Sequence, residues 1–180
     1  MQLPTSAFRA WAWPGILTVA TVIGSLVAAC LMPFAALASI AAATLPLGRA
    51  MGAVLAAWAF NQAVGFGWLG FPHTAQAAAQ GASLAIASLT AVLAARAAGV
   101  GGGSLARLGL GFAAGFAAYE AVLFAGAHFT GGLWTFAPAY VAQIALAEAV
   151  WFALLGALSL AVQRATPAVA PPRPIRLRPA

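Results

Sequence analysis

The chain has 180 residues, of which 64% are hydrophobic and only 6% charged. Soluble domains carry about 25% charged residues and disordered chains are poor in apolar ones, so composition excludes both and leaves an integral membrane protein. The formal net charge of +6 comes from eight arginines set against Glu120 and Glu148, with no lysine and no aspartate. Such arginines mark helix ends and topology in a membrane chain, and a basic tail can touch anionic lipid.

The apolar runs between breakers predict an all-α, polytopic fold with six transmembrane helices. Residues 14–31 form the first, opened by Pro14 at a helix start, where proline is tolerated, and broken by Met32-Pro33. Residues 34–47 form a short second segment, closed by Pro46 and Gly48. The third covers 50–70 and the fourth 75–97, followed by the glycine-rich run 99–104. The fifth covers 106–128, and a Thr130-Gly131-Gly132 turn leads to the sixth over 138–163. A single membrane domain is therefore expected over 14–163, with a cytoplasmic N-terminus at 1–13 and a Pro/Arg-rich cytoplasmic tail at 164–180. The N-terminus carries no sign of a removable signal peptide.

The segment 34–47 is short. At 1.5 Å per residue it reaches about 21 Å, against a hydrocarbon core of roughly 30 Å. It reads as a re-entrant piece, as the end of one long helix kinked at Pro33, or as a short span. Arginine placement favours the last. With six crossings, Arg9, Arg49, Arg96, Arg107, Arg164, Arg173, Arg176 and Arg178 all fall on one side; with five, Arg9 lands opposite the rest. The positive-inside rule then puts both termini in the cytoplasm of a bacterial inner membrane.

Alanine and glycine let helices approach closely. Ala20-xxx-Gly24-xxx-Ala28 in the first span and Gly111-xxx-Gly115 in the fifth are such surfaces, for internal packing or for a partner subunit.

Polar groups inside an apolar helix are costly, and so they are the functional pointers. Glu120 lies about 12 Å below the outer end of the fifth span, with Phe124 and His128 on the same face. A carboxylate there is protonated, paired or facing water. It is either an anchor for a ligand, cation or proton, or a neutral group bonded between helices. Glu148 lies near the middle of the sixth span, where Tyr140, Gln143, Glu148 and Trp151 fall within an arc of roughly 140°. The third span carries Asn61-Gln62, flanked by Trp58 and Trp68. The fourth carries Gln76, Gln80, Ser83 and Thr90 on a narrow stripe, of which the hydroxyls can bond their own helix. Near the outer connections stand His73, His128 and the aromatics Trp68, Phe71, Phe129, Trp134 and Phe136, which also suit an interfacial belt. Two histidines this far apart do not make a metal site, and neither metal nor cofactor is expected. The candidate ligand-binding set is Asn61, Gln62, Trp68, Gln76, Gln80, Glu120, His128, Trp134, Tyr140, Gln143 and Glu148, above an inner half of Ala, Leu, Val and Gly. That asymmetry predicts a pocket open to the outside.

Six spans in a chain of this size, with both termini inside and an outward polar-aromatic pocket, resemble the substrate-binding S components of energy-coupling-factor transporters. The resemblance covers the chain in layout. It implies capture of a small molecule from outside and association with a transmembrane coupling subunit and ATPases, with Ala20, Gly24 and Ala28 as the docking surface. The nickel and cobalt branch of that family has a histidine-bearing N-terminus, which Met1-Gln2-Leu3 lacks, so a vitamin or vitamin precursor is the implied ligand. The alternative is a structural or assembly subunit of a larger membrane complex, photosynthetic or respiratory. No Ser-His-Asp set, usefully spaced acidic pair or histidine box points to an enzyme, and no Walker motif to ATP hydrolysis by this chain.

Overall fold

The computed structural model describes residues 12–22, 32–99 and 105–165. Among them the secondary structure is entirely helical. The elements are α1 (Ala12–Val22), α2 (Phe34–Thr44), α3 (Leu47–Gly67), α4 (Ala75–Ala97), α5 (Leu105–Thr130), a 3-10 turn (Leu133–Phe136) and α6 (Pro138–Ala165). Three stretches, Ala75–Ala97, Leu105–Thr130 and Pro138–Val162, are long and apolar enough to cross a membrane. The N-terminal residues 1–11, the second half of the expected first span (23–31), most of the glycine loop (100–104) and the tail beyond 165 lie outside the described residues.

Helix α2 is the centre of the bundle. It packs against α3, α4, α5 and α6, and residues Phe34 to Ala42 are all buried. Prolines bound it: Pro33 is its N-cap and Pro46 ends the chain's run before α3. With 11 residues it is about 16 Å long, well short of a crossing. Its ends therefore leave backbone groups within the protein, and irregular backbone at that depth is stable only where protein encloses it.

The neighbours fix the direction of each element. Gln76 on α4 donates to the Thr130 carbonyl at the end of α5, while Gly115 lies against Ala91 and Ala95, so α4 and α5 are antiparallel. Ala36 meets Glu148 and Ile40 approaches Gly156, so α2 and α6 run together. Trp13 Nε1 donates to Thr44 Oγ1 at 3.0 Å, which sets the start of α1 beside the end of α2. The elements thus alternate in direction, and Arg49, Arg96, Arg107 and Arg164 gather at one end of the bundle, while Trp68, Phe71, Phe129 and Trp134 occupy the other.

Local chemistry explains the joints. Thr74 caps α4 by accepting from the Ala77 N–H at 3.2 Å. Gly131 and Gly132 take φ of 81° and 93° to turn the chain out of α5, a region that favours glycine. Buried hydroxyls return to their own helices: Thr21 to Leu17, Ser39 to Ala35 and Ser88 to Leu84. Gly111 and Gly115 are both buried in α5. A Cβ on Gly115 would stand 2.9 Å from Ser39 Oγ and 3.2 Å from the Ala91 carbonyl. The fifth-span glycine motif therefore serves internal packing, seating α5 on α2 and α4. Ala20 also packs against the core from α1, whereas Gly24 and Ala28 lie outside the described residues.

Gly115→Leu is expected to cost about 1–3 kcal/mol through overpacking, read as a lowered melting temperature in detergent. Gly109→Leu is the control, since its Cβ position is open, and should leave the melting temperature unchanged.

Candidate functional site

The N-terminus of α2 shows where the polar groups are spent. Phe34 N–H donates to the Met32 carbonyl at 2.9 Å, and Leu37 N–H to Pro33 at 2.9 Å. Ala36 N–H donates to the Glu148 carboxylate at 2.7 Å and Ala35 N–H to its other oxygen at 3.4 Å. The first four amides of the helix are thus all satisfied, two of them by a side chain from α6. Glu148 is 4% exposed, and its carboxyl sits at the positive end of the helix dipole. At the other end, the Arg96 guanidinium donates through Nη2 to the Leu45 carbonyl, placing a cation at the negative end.

Beside this junction, α5 and α6 border a half-open cavity of about 180 Å³. Asn61 reaches it from α3, Leu84 from α4, Tyr119 and Glu120 from α5, Glu148 and Trp151 from α6. Phe34, at the first turn of α2, closes one wall. Below it, Phe112 of α5 stacks on Phe152 of α6 with centroids 4.6 Å apart, which closes that side with apolar rings. Tyr119 lies about 21 Å along α5 from Leu105, near its mid-length, and Glu148 about 15 Å from the start of α6, so the cavity sits near the middle of the bundle.

Of the residues singled out from the sequence, Asn61, Glu120 and Glu148 line this cavity together. The others lie elsewhere. Gln62 packs its amide against Gly81 of α4. Gln76 ties α4 to the end of α5, and Gln80 and Gln143 are exposed. Trp68 is 86% exposed. Trp134 and Tyr140 meet edge to face at 5.7 Å on the surface. His128 Nδ1 bonds the Phe124 carbonyl of its own helix at 2.9 Å, and its ring meets Phe124 edge to face. His73 stacks obliquely on Phe66. Among the described residues no three His, Cys, Asp or Glu side chains are grouped to hold a metal.

Tyr119 was not among the candidates, and it is one of the most buried polar side chains at the cavity. Its position was accessible from the sequence: it follows Gly111 and Gly115 at four-residue steps, on the face where helices approach.

The chain matches no family model, no curated protein and no solved structure. Its site is therefore read from its own geometry.

Three polar groups at this cavity make no hydrogen bond among the described residues: the Asn61 amide, the Tyr119 hydroxyl and the Glu120 carboxyl. Glu148 is held by backbone, so it supports the fold as well as bordering the space. The two glutamates should separate on mutation. Glu148→Ala strands the amides of Ala35 and Ala36, a cost of about 1–3 kcal/mol for each buried group left unpaired. Glu148→Gln keeps an acceptor and should cost less, and Glu120→Gln should melt like the wild type. Melting of the three variants in one detergent checks this, and a Glu148→Ala protein as stable as wild type rules out the capping role.

Proposed function

We propose that the chain is a multi-pass subunit of the bacterial inner membrane that binds a small molecule at mid-depth and serves its uptake, with no catalysis of its own. The observation that carries this reading is the cavity bordered by Asn61, Tyr119, Glu120 and Glu148, in which apolar walls surround a few placed polar groups. Polar side chains without partners in a membrane-embedded bundle are costly unless a ligand or water meets them.

The topology proposed with it has six helical elements and both termini in the cytoplasm. The clustering of Arg49, Arg96, Arg107 and Arg164 at one end of the bundle, opposite an aromatic end, supports it. In this arrangement α2 does not cross on its own. It is a buried half-helix whose N-terminus points at the cavity, as broken helices do in transporters. The layout is the one that suggested an S component of an energy-coupling-factor transporter, and that remains the proposed system. Its transmembrane coupling subunit would dock through the sequence motif of Ala20, Gly24 and Ala28, of which Ala20 is the described member, on α1. The cavity volume favours a compact ligand, such as a vitamin precursor, because drug-sized ligands occupy roughly 300–1,000 Å³.

A second reading, a structural or assembly subunit of a larger membrane complex, draws on a different feature. Between α1 and α3 runs a groove of about 590 Å³ with Thr18, Val19, Gly52 and Ala56 in its walls and Arg49 at its end. Small side chains of this kind admit a neighbouring helix or a lipid chain.

Native mass spectrometry of the protein extracted from its own membrane distinguishes the two. The uptake reading expects a small-molecule adduct that disappears in Ala147→Phe, which fills the cavity. A stoichiometric protein partner with no such adduct supports the assembly reading instead. Reporter fusions at Gly102 and at the C-terminus are both expected to read cytoplasmic, and an external signal from either overturns the proposed topology.

A further inference from the structure

We propose that the α5–α6 cavity takes a small organic cation, an amine or quaternary ammonium group carrying alkyl substituents, with Glu120 as its charge partner. This rests on the binding-subunit reading and narrows its substrate class.

The argument proceeds from what the walls lack. Two carboxyls, Glu120 and Glu148, border the space, and no arginine or histidine lies among the described residues lining it. Glu148 already faces two backbone N–H groups and the positive end of α2. Glu120 has no hydrogen-bond partner among the described residues, so as a carboxylate it has no countercharge among them. Tyr119 is 5% exposed, lines the cavity, and has a hydroxyl equally without a partner. Asn61 adds an amide on the α3 side.

Each ligand class can be set against that inventory. An anion meets two carboxyls and no cationic side chain. A neutral molecule would meet Glu120 as the protonated acid or beside water and draws nothing from its charge. A bare divalent ion requires about six or more oxygen ligands, and with Glu148 held by Ala35 and Ala36 only Glu120, Tyr119 and Asn61 are left to supply them beside an aliphatic wall of Leu84, Leu123 and Ile144. An alkylammonium fits all three conditions. Its charge pairs with Glu120, its alkyl groups meet the aliphatic wall, and Phe34, Tyr119 and Trp151 supply aromatic surface of the kind that attracts ammonium groups. An N–H or hydroxyl on the same ligand would find the Tyr119 oxygen and the Asn61 amide.

Choline and its uncharged carbon isostere dimethylbutanol are the probes, titrated calorimetrically into the full chain in lipid nanodiscs. The wild type is expected to bind choline saturably and dimethylbutanol at least ~10-fold more weakly, because only choline carries the charge that the Glu120 carboxylate and the aromatic faces attract. Glu120→Gln should weaken choline by at least ~10-fold and bring the two probes to similar affinities, with its melting temperature serving as the folding check. The choline-to-isostere ratio in the wild type needs no variant at all. Equal affinity for the two probes, an unchanged choline affinity in Glu120→Gln, or no saturable choline binding overturns the proposal. If choline fails while the wild type still carries an adduct that Ala147→Phe removes, the cation assignment is wrong and the binding-subunit reading survives. If neither choline nor any adduct binds, both fall.

Discussion

A helix of 11 residues held inside a bundle is unstable unless something answers its two ends. In this protein α2 is enclosed by four other helices, and its termini are met by a carboxyl and a guanidinium. Glu148 from α6 accepts the Ala35 and Ala36 amides at one end, and Arg96 from α4 donates to the Leu45 carbonyl at the other. Each interaction satisfies orphan backbone groups and also complements the helix dipole. In water such contacts are modest. In a low-dielectric interior an unmet amide is far more costly, so the pair decides whether α2 can occupy the centre at all. The position of α6 follows from this, because α6 packs on the bundle largely through α2, with the Phe112–Phe152 stack as its other hold on α5. The cavity is the space left where α5 and α6 diverge beyond the first turn of α2.

Much of this architecture was legible in the sequence. Breakers at Pro33, Pro46, Gly70 to Pro72 and Gly131-Gly132 fall at element ends, and the segment after Pro33 reads as short, although arginine placement counts it as a span. The Gly111-xxx-Gly115 spacing marks the face that packs inward, because four-residue steps bring small side chains onto one side of a helix. Arg96 reads only as a topology marker, since nothing local in the sequence tells it from other helix-end arginines; its partner, Leu45, is 51 residues away.

The site was legible only in part, for a physical reason. A polar residue in an apolar helix signals that it avoids lipid, but it can do so by facing a cavity, by packing on a glycine or by standing at a wet end. Asn61 and Glu120 take the first course, Gln62 the second, against Gly81, and Gln76 the third, on the Thr130 carbonyl. Periodicity alone does not separate these, because it fixes the face of one helix and not what another helix brings to it. The arc from Tyr140 to Trp151 illustrates this. Glu148 and Trp151 reach the cavity, whereas Tyr140 and Gln143, one to two turns earlier on the same helix, project beyond the other helices and are exposed.

The bond between Ala36 and Glu148 joins residues 112 positions apart, and it imposes an order on biogenesis. Helix α2 leaves the ribosome early, yet the acceptor for two of its amides is made only when nearly the whole chain has been synthesised. Until α6 arrives, the first turn of α2 can be satisfied only by water or by temporary partners, so it has reason to stay at the membrane surface or in the insertion machinery. Helix α6, the last of the described helices, is therefore the one that completes the interior, and a nascent chain truncated before residue 148 would lack the group that holds its second helix in place.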